Sequence, residues 1–145
     1  MIRRLFGVML VGVLASCGGS SSSPTPTPTP TPSAPFSTTD LVVGTGAEAV
    51  AGKSVTINYT GWLYSDTAPD HKGTQFGTSV GTTPYSFVLG ASQAIPGIDQ
   101  GVTGMKVGGS RRIVIPPDLA YGATGNGPIP PNATLVFDVD LLIVQ

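Results

Sequence analysis

The chain has 145 residues, a formal net charge of −1 and only 10% charged residues, a length that suits one domain. From Phe36 to Gln145, five Lys and Arg stand against eight Asp and Glu, a net of −3. That balance excludes a basic nucleic-acid surface and electrostatic attraction to anionic lipid, while the stretch is long enough to bury a core without disulfides or metals.

Residues 1–16 read as a signal peptide. Arg3 and Arg4 form a basic start, Leu5 to Leu14 an apolar run broken only by glycines, and Ala15-Ser16 a small-residue end. The run is about half the length that spans a bilayer. Cys17, the single cysteine, excludes an internal disulfide. Its place after Leu14-Ala15-Ser16 resembles the bacterial lipobox, which implies cleavage before Cys17 and lipidation there, with several acyl chains anchoring the protein to the membrane. Gly18 after the cysteine points to the outer membrane, on its periplasmic side, in a Gram-negative cell. Residues 17–35 form a Ser/Thr/Pro-rich linker. Its alternating Thr-Pro favours polyproline II and spaces the domain on the order of 50 Å from the lipid.

Residues 36–145 carry short alternating runs with Gly and Pro punctuation. Ser54 to Tyr64 alternates, with Val55, Ile57 and Tyr59 on one face, which predicts a half-buried strand. Tyr64 to Thr74 reads as a polar, mobile loop. Tyr85, Phe87 and Leu89 repeat the period of two. Ile95, Ile98, Val102 and Met105 instead step by three and four, placing one side of a short helix whose first turn holds Pro96. Such a helix persists only when packed, and the apolar face of the sheet is its partner. Arg111 to Ile115 is a further strand ending at Pro116-Pro117. Leu135 to Ile143 is the clearest strand, with Leu135, Phe137, Val139, Leu141 and Ile143 inward and Val136, Asp138, Asp140 and Leu142 on a mixed face. The architecture these elements predict is α+β, a curved antiparallel sheet wrapped on one short helix.

No catalytic triad or metal-ligand spacing can be assembled around His71, the lone histidine, which sits in a polar loop beside Asp70 and Lys72. No cofactor is implied.

Five motifs occur in order: VTINYTGWL (Val55–Leu63), Gln75-Phe76, YSFVLG (Tyr85–Gly90), AIPGIDQGVTGMKVGGSRRIVIPPDLAYG (Ala94–Gly122) and IPPNATLVFDVDLL (Ile129–Leu142). Together they resemble the FK506-binding-protein (FKBP) family of peptidyl-prolyl cis/trans isomerases across the globular part. The resemblance implies an apolar pocket between sheet and helix that holds a prolyl ring. It implies Tyr59, Phe76, Phe87, Tyr121 and Phe137 as catalytic residues. Tyr85, Ala94, Ile95, Ile98 and Ile129 are implied as substrate-binding residues, with the Ile95 amide and the Tyr121 hydroxyl donating to substrate carbonyls. Proline-containing peptides, unfolded exported proteins and macrolides of the FK506 type are the implied partners, and a monomer is expected.

Two positions depart from the family pattern. Gly77 stands where an aspartate commonly accepts a hydrogen bond from the tyrosine matching Tyr59; a buried hydroxyl left unpaired costs about 1–3 kcal/mol. Ile98 stands where a tryptophan usually forms the pocket floor, a loss of contact worth roughly 1–3 kcal/mol of binding. Two readings therefore follow: an isomerase assisting the folding of exported proteins at the cell envelope, or a weakly active or inactive binding and chaperone module anchored to the membrane.

Overall fold

The computed structural model describes Gly18 and residues 32–145. The signal peptide, Cys17 and most of the linker lie outside the described residues. The elements are β1 (Ser37–Val42), β2 (Ser54–Tyr64), β3 (Lys72–Thr78), β4 (Tyr85–Val88), α1 (Pro96–Val102), β5 (Ser110–Ile115) and β6 (Leu135–Val144), with single 3-10 turns at Pro69–His71 and Pro117–Leu119. All strand pairs are antiparallel. The sheet runs β1-β5-β6-β2-β3, and β4 pairs with the first residues of β2 on the edge that β3 leaves free. Central position explains why β2 carries β-branched and aromatic residues at alternate places: Val55 and Ile57 are buried on its inner face.

The helix is α1, and it lies on β5. Ile98 and Val102 point into the core; Met105 is also buried, but it follows the helix end, after a reversal at Gly104 (φ 86°). The glycines that weaken this segment as an isolated helix have a packing role. A Cβ on Gly97 would collide with Ile115 and one on Gly101 with Ile113, both wholly buried on β5. Absence of side chains there lets backbone and sheet approach closely. At the other end, the Arg111 guanidinium donates to the carbonyls of Gly101 (2.9 Å) and Thr103 (3.3 Å) and pairs with Asp40 at 2.5 Å. A cation on the last carbonyls suits the negative end of the helix dipole.

Three expectations from the sequence need correction. Ile143 is 47% exposed rather than inward. The pairing steps from Ile57–Leu141 to Thr56–Ile143, so Leu142 is an extra residue, a β-bulge that reverses the alternation and turns Val144 toward Val55. Val136 is fully buried although it belongs to the mixed face. It sits in register between Trp62 and Val114, where Lys72 reaches over the Trp62 ring at 4.2 Å and shields the outer surface. The loop after β2 is shorter and better held than its polar composition implies, because Tyr64 ends β2 and Lys72 to Thr74 begin β3. His71 stacks on Tyr64 at 4.8 Å, and Arg112 pairs with Asp70 at 3.3 Å.

Asp138 anchors the outer face, accepting from Lys72 (2.5 Å) and Arg112 (2.8 Å). Burial opposes its charge, yet hydrogen bonds from Arg112 and Lys72 outweigh that and hold its carboxyl below the usual carboxylate range. A depressed folded-state pKa contributes stability that is present above the unfolded value, about 3.9, and lost as pH falls through the folded one. Urea midpoints should therefore fall below about pH 4, with a shallower fall in Asp138→Asn. Gly101→Ala gains roughly 1 kcal/mol in helix propensity but overpacks against Ile113, at about 1–3 kcal/mol. Urea denaturation should show net destabilisation; a more stable variant would contradict the close-approach account.

Candidate functional site

One end of the helix–sheet contact opens into a cavity of about 650 Å³, within the size range of small-ligand sites. Its walls come from every layer. β2 supplies Ile57 and Tyr59, β3 Phe76 and Gly77, β4 Tyr85, and β6 Phe137; the approach to α1 adds Ser92, Gln93, Ala94 and Ile95, and α1 itself Ile98. Tyr121, Asn126, Pro128 and Ile129, from the connection between β5 and β6, close the remaining side.

The aromatic walls meet edge to face. Phe137 lies 5.5 Å from Phe76 at 78° and 6.0 Å from Tyr59 at 61°, and Tyr59 lies 6.4 Å from Tyr85 at 84°. Such geometry favours aromatic pairs over face-to-face stacks. Gly61 makes it possible, since a Cβ there would come within 2.5 Å of the Phe76 ring and 2.9 Å of the Phe137 ring.

Nine of the ten proposed protein-contact residues line this cavity: Tyr59, Phe76, Tyr121, Phe137, Tyr85, Ala94, Ile95, Ile98 and Ile129. Phe87 does not. It is 2% exposed, opposite Val55 in the core, and Tyr85 stacks over it at 5.2 Å. Two residues along β4 toward the core is far enough to make Phe87 a support for Tyr85 rather than a wall.

Sequence reasoning passed over Ile57, Gly61, Gln93, Asn126 and Pro128. Ile57 and Gly61 flank Tyr59 at the same-face interval of two, a signal that was available. Gln93 works through its hydrogen bonds: its carbonyl accepts from the Tyr85 hydroxyl (2.8 Å) and its side-chain oxygen accepts from the Val88 amide (2.9 Å). These two bonds tie the segment before α1 to β4 and fix Tyr85 at the rim. Burial first, then the neighbouring Tyr121, Tyr59 and Asp99, push the Tyr85 phenol above its ordinary pKa, so it stays a neutral donor.

The polar equipment of the cavity is uncharged. Among the described residues, no Asp, Glu, Lys, Arg or His lines it. Among the described residues there is no cluster of three metal-ligating side chains, and His71 lies on the far loop with its Nδ1 3.3 Å from the Ser65 carbonyl. The Ile95 amide donates to no group among the described residues, and the Tyr59 and Tyr121 hydroxyls have no partner there either. The Tyr59 hydroxyl is not a buried orphan, since only Thr134 Oγ1 is both buried and unpaired among the described residues. The missing aspartate at position 77 therefore carries no desolvation penalty. A Cβ on Gly77 would meet nothing within 4 Å, so that position is open space.

The cavity thus joins aromatic walls to free amide and hydroxyl donors, with no charged side chain in its lining among the described residues. The chain belongs to the FKBP-type peptidyl-prolyl cis-trans isomerases, whose family model matches residues 46–142. An FK506-binding protein of Neisseria meningitidis serogroup A is 48% identical over 107 residues, covering 72% of this chain and 92% of the relative. The crystal structure of FkpA from Escherichia coli superposes with a TM-score of 0.64 at 40% identity, over 76% of this chain and 48% of FkpA. A peptidyl-prolyl cis-trans isomerase from Pseudomonas syringae pv. tomato gives 0.63 at 37% identity, over 76% of this chain and 75% of the other. The protein is accordingly a prolyl isomerase with the curved-sheet fold of that family.

Because position 77 is open and lies in the cavity beside Phe76, Gly77→Asp should fold normally and restore an acceptor for Tyr59. A hydrogen bond worth about 1 kcal/mol raises kcat/KM about fivefold. Peptide isomerisation kinetics would check this, and an unchanged or lower value in a folded variant would contradict the role given to that position.

Proposed function

We propose that this chain is an envelope-tethered prolyl isomerase that turns X-Pro bonds in exported proteins. The observation that carries the proposal is the aromatic cavity, uncharged among the described residues, whose Ile95 amide and Tyr121 hydroxyl have no hydrogen-bond partner among those residues. Rotation about a peptide bond has a barrier of about 18–20 kcal/mol, and X-Pro exchange takes tens of seconds or more. At the top of that barrier the amide is twisted, with its resonance and part of its dipole lost. A dry apolar site holds this state better than the planar one, provided the carbonyl keeps a donor.

In this reading the prolyl ring sits among Tyr59, Phe76, Ile98 and Phe137. The Ile95 amide donates to the carbonyl of the substrate, Tyr121 donates to a neighbouring carbonyl, and Tyr85 and Ile129 border the flanking residues. Macrolides of the FK506 type compete for the same space. The protein acts as a monomer, held by lipid on Cys17 at the outer membrane, periplasmic side, of a Gram-negative cell. Support for the anchor comes from the basic, apolar and Leu14-Ala15-Ser16-Cys17 sequence.

Proline-limited refolding of a test protein is the measurement. The chain should accelerate it, and Tyr121→Phe should lower kcat/KM about five- to tenfold, the value of one hydrogen bond of about 1–1.4 kcal/mol. Peptide binding without acceleration would favour the non-catalytic module instead. Separately, Cys17→Ser should move the protein from the membrane to the soluble fraction; continued membrane retention would refute the anchor.

A further inference from the structure

The chain that carries this cavity also carries a run of X-Pro bonds just ahead of the described fold. Ser23-Pro24 is followed by Thr-Pro four times through Pro32. The tether joins the sheet close to the site. Ser37 opens β1, and Thr38 begins a register row that crosses the sheet as Thr38, Ile113, Phe137, Gly61 and Gly77. Phe137 and Gly77 both line the cavity. At about 4.8 Å per strand they lie about 10 Å and 19 Å from that junction.

The end of the tether already runs along the domain. Pro32, Ala34 and Phe36 are half-buried while Ser33 and Pro35 are exposed, and Phe36 packs against the core. Counting back from Pro32, the first residue of that packed stretch, Pro26 is six residues away and Pro24 eight, contours of about 20 Å and 26 Å. Both exceed the spans of about 10 Å and 19 Å that separate the β1 junction from the cavity walls. The residue before each of these prolines, Ser23 or a threonine, is small and neutral, so binding buries no charge in the uncharged lining. Tethering also keeps these bonds near the cavity, at an effective concentration set by the length and stiffness of the Thr-Pro run.

We infer that the cavity turns X-Pro bonds of its own tether in cis, those ending at Pro24 and Pro26. This rests on the isomerase reading and extends it to a substrate within the same chain. The isomers of the tether then equilibrate quickly instead of over tens of seconds or more, and the tether competes with outside substrates for the cavity.

The test is NMR exchange at the tether prolines of the full chain in detergent micelles, beside a free peptide of residues 18–36. Exchange at least tenfold faster in the chain and independent of protein concentration supports the inference. It should slow when excess Ala-Pro test peptide is added and in Tyr121→Phe. A second variant, with Pro24, Pro26, Pro28 and Pro30 changed to Ala, should isomerise dilute test peptide at least as fast as the parent chain; a slower rate would contradict competition by the tether. Tether exchange equal to that of the free peptide, in a sample that isomerises the test peptide, overturns the inference and leaves the isomerase reading standing. Acceleration of neither overturns both. Acceleration proportional to protein concentration assigns the tether to another copy's cavity and overturns action in cis.

Discussion

The close contact between α1 and β5 is the constraint on which the rest of the structure depends. Seven residues of helix have too little intrinsic stability to persist alone. Gly97 and Gly101 let the helix settle onto Ile115 and Ile113, and Arg111 binds its last carbonyls from the strand below. Once the helix is fixed there, Ile98 and the preceding Ala94 and Ile95 stand opposite the aromatic residues of β2, β3 and β6. The cavity is the space that this arrangement leaves at the helix start.

The cavity's polar groups carry no charge among the described residues. In the proposed function its aromatic edges exclude water from a prolyl ring, and its donors are an amide and phenols rather than ions. The charged side chains with paired partners, Asp138 with Lys72 and Arg112, and Asp40 with Arg111, are placed on the outer face and at the helix end. Structural electrostatics and catalysis are thus kept apart, so substitutions in the outer ion pairs act on stability before they act on turnover.

Much of this was legible in the sequence. Period-two runs located β2, β4, β5 and β6, and the three–four spacing located α1, because both patterns record a single buried face. Motif positions brought nine residues to one cavity. The failures share a cause: each depends on pairing between distant strands. Ile143 points outward because one extra residue on β6 faces β2, which no pattern within β6 reveals. Val136 is covered by a neighbouring tryptophan and a lysine from another strand. Phe87 alternates correctly inward but lies in the core two residues from Tyr85, outside the cavity lining. Gly61 has no side chain to attract notice, and its importance lies in the two rings that occupy its space. That Gly77 leaves no buried hydroxyl unpaired was also beyond sequence reasoning, since only the fold shows that the Tyr59 hydroxyl is not a buried orphan.

The central claim is that an uncharged hollow catalyses rotation by shelter and hydrogen bonding, without proton transfer by a titrating group. The dependence of kcat/KM on pH for a neutral prolyl peptide, from pH 5 to 9, tests it most directly. The account predicts a flat profile, because no carboxylate, imidazole or ammonium lines the site among the described residues. A bell-shaped profile, or one limb with a midpoint near neutrality, would contradict it.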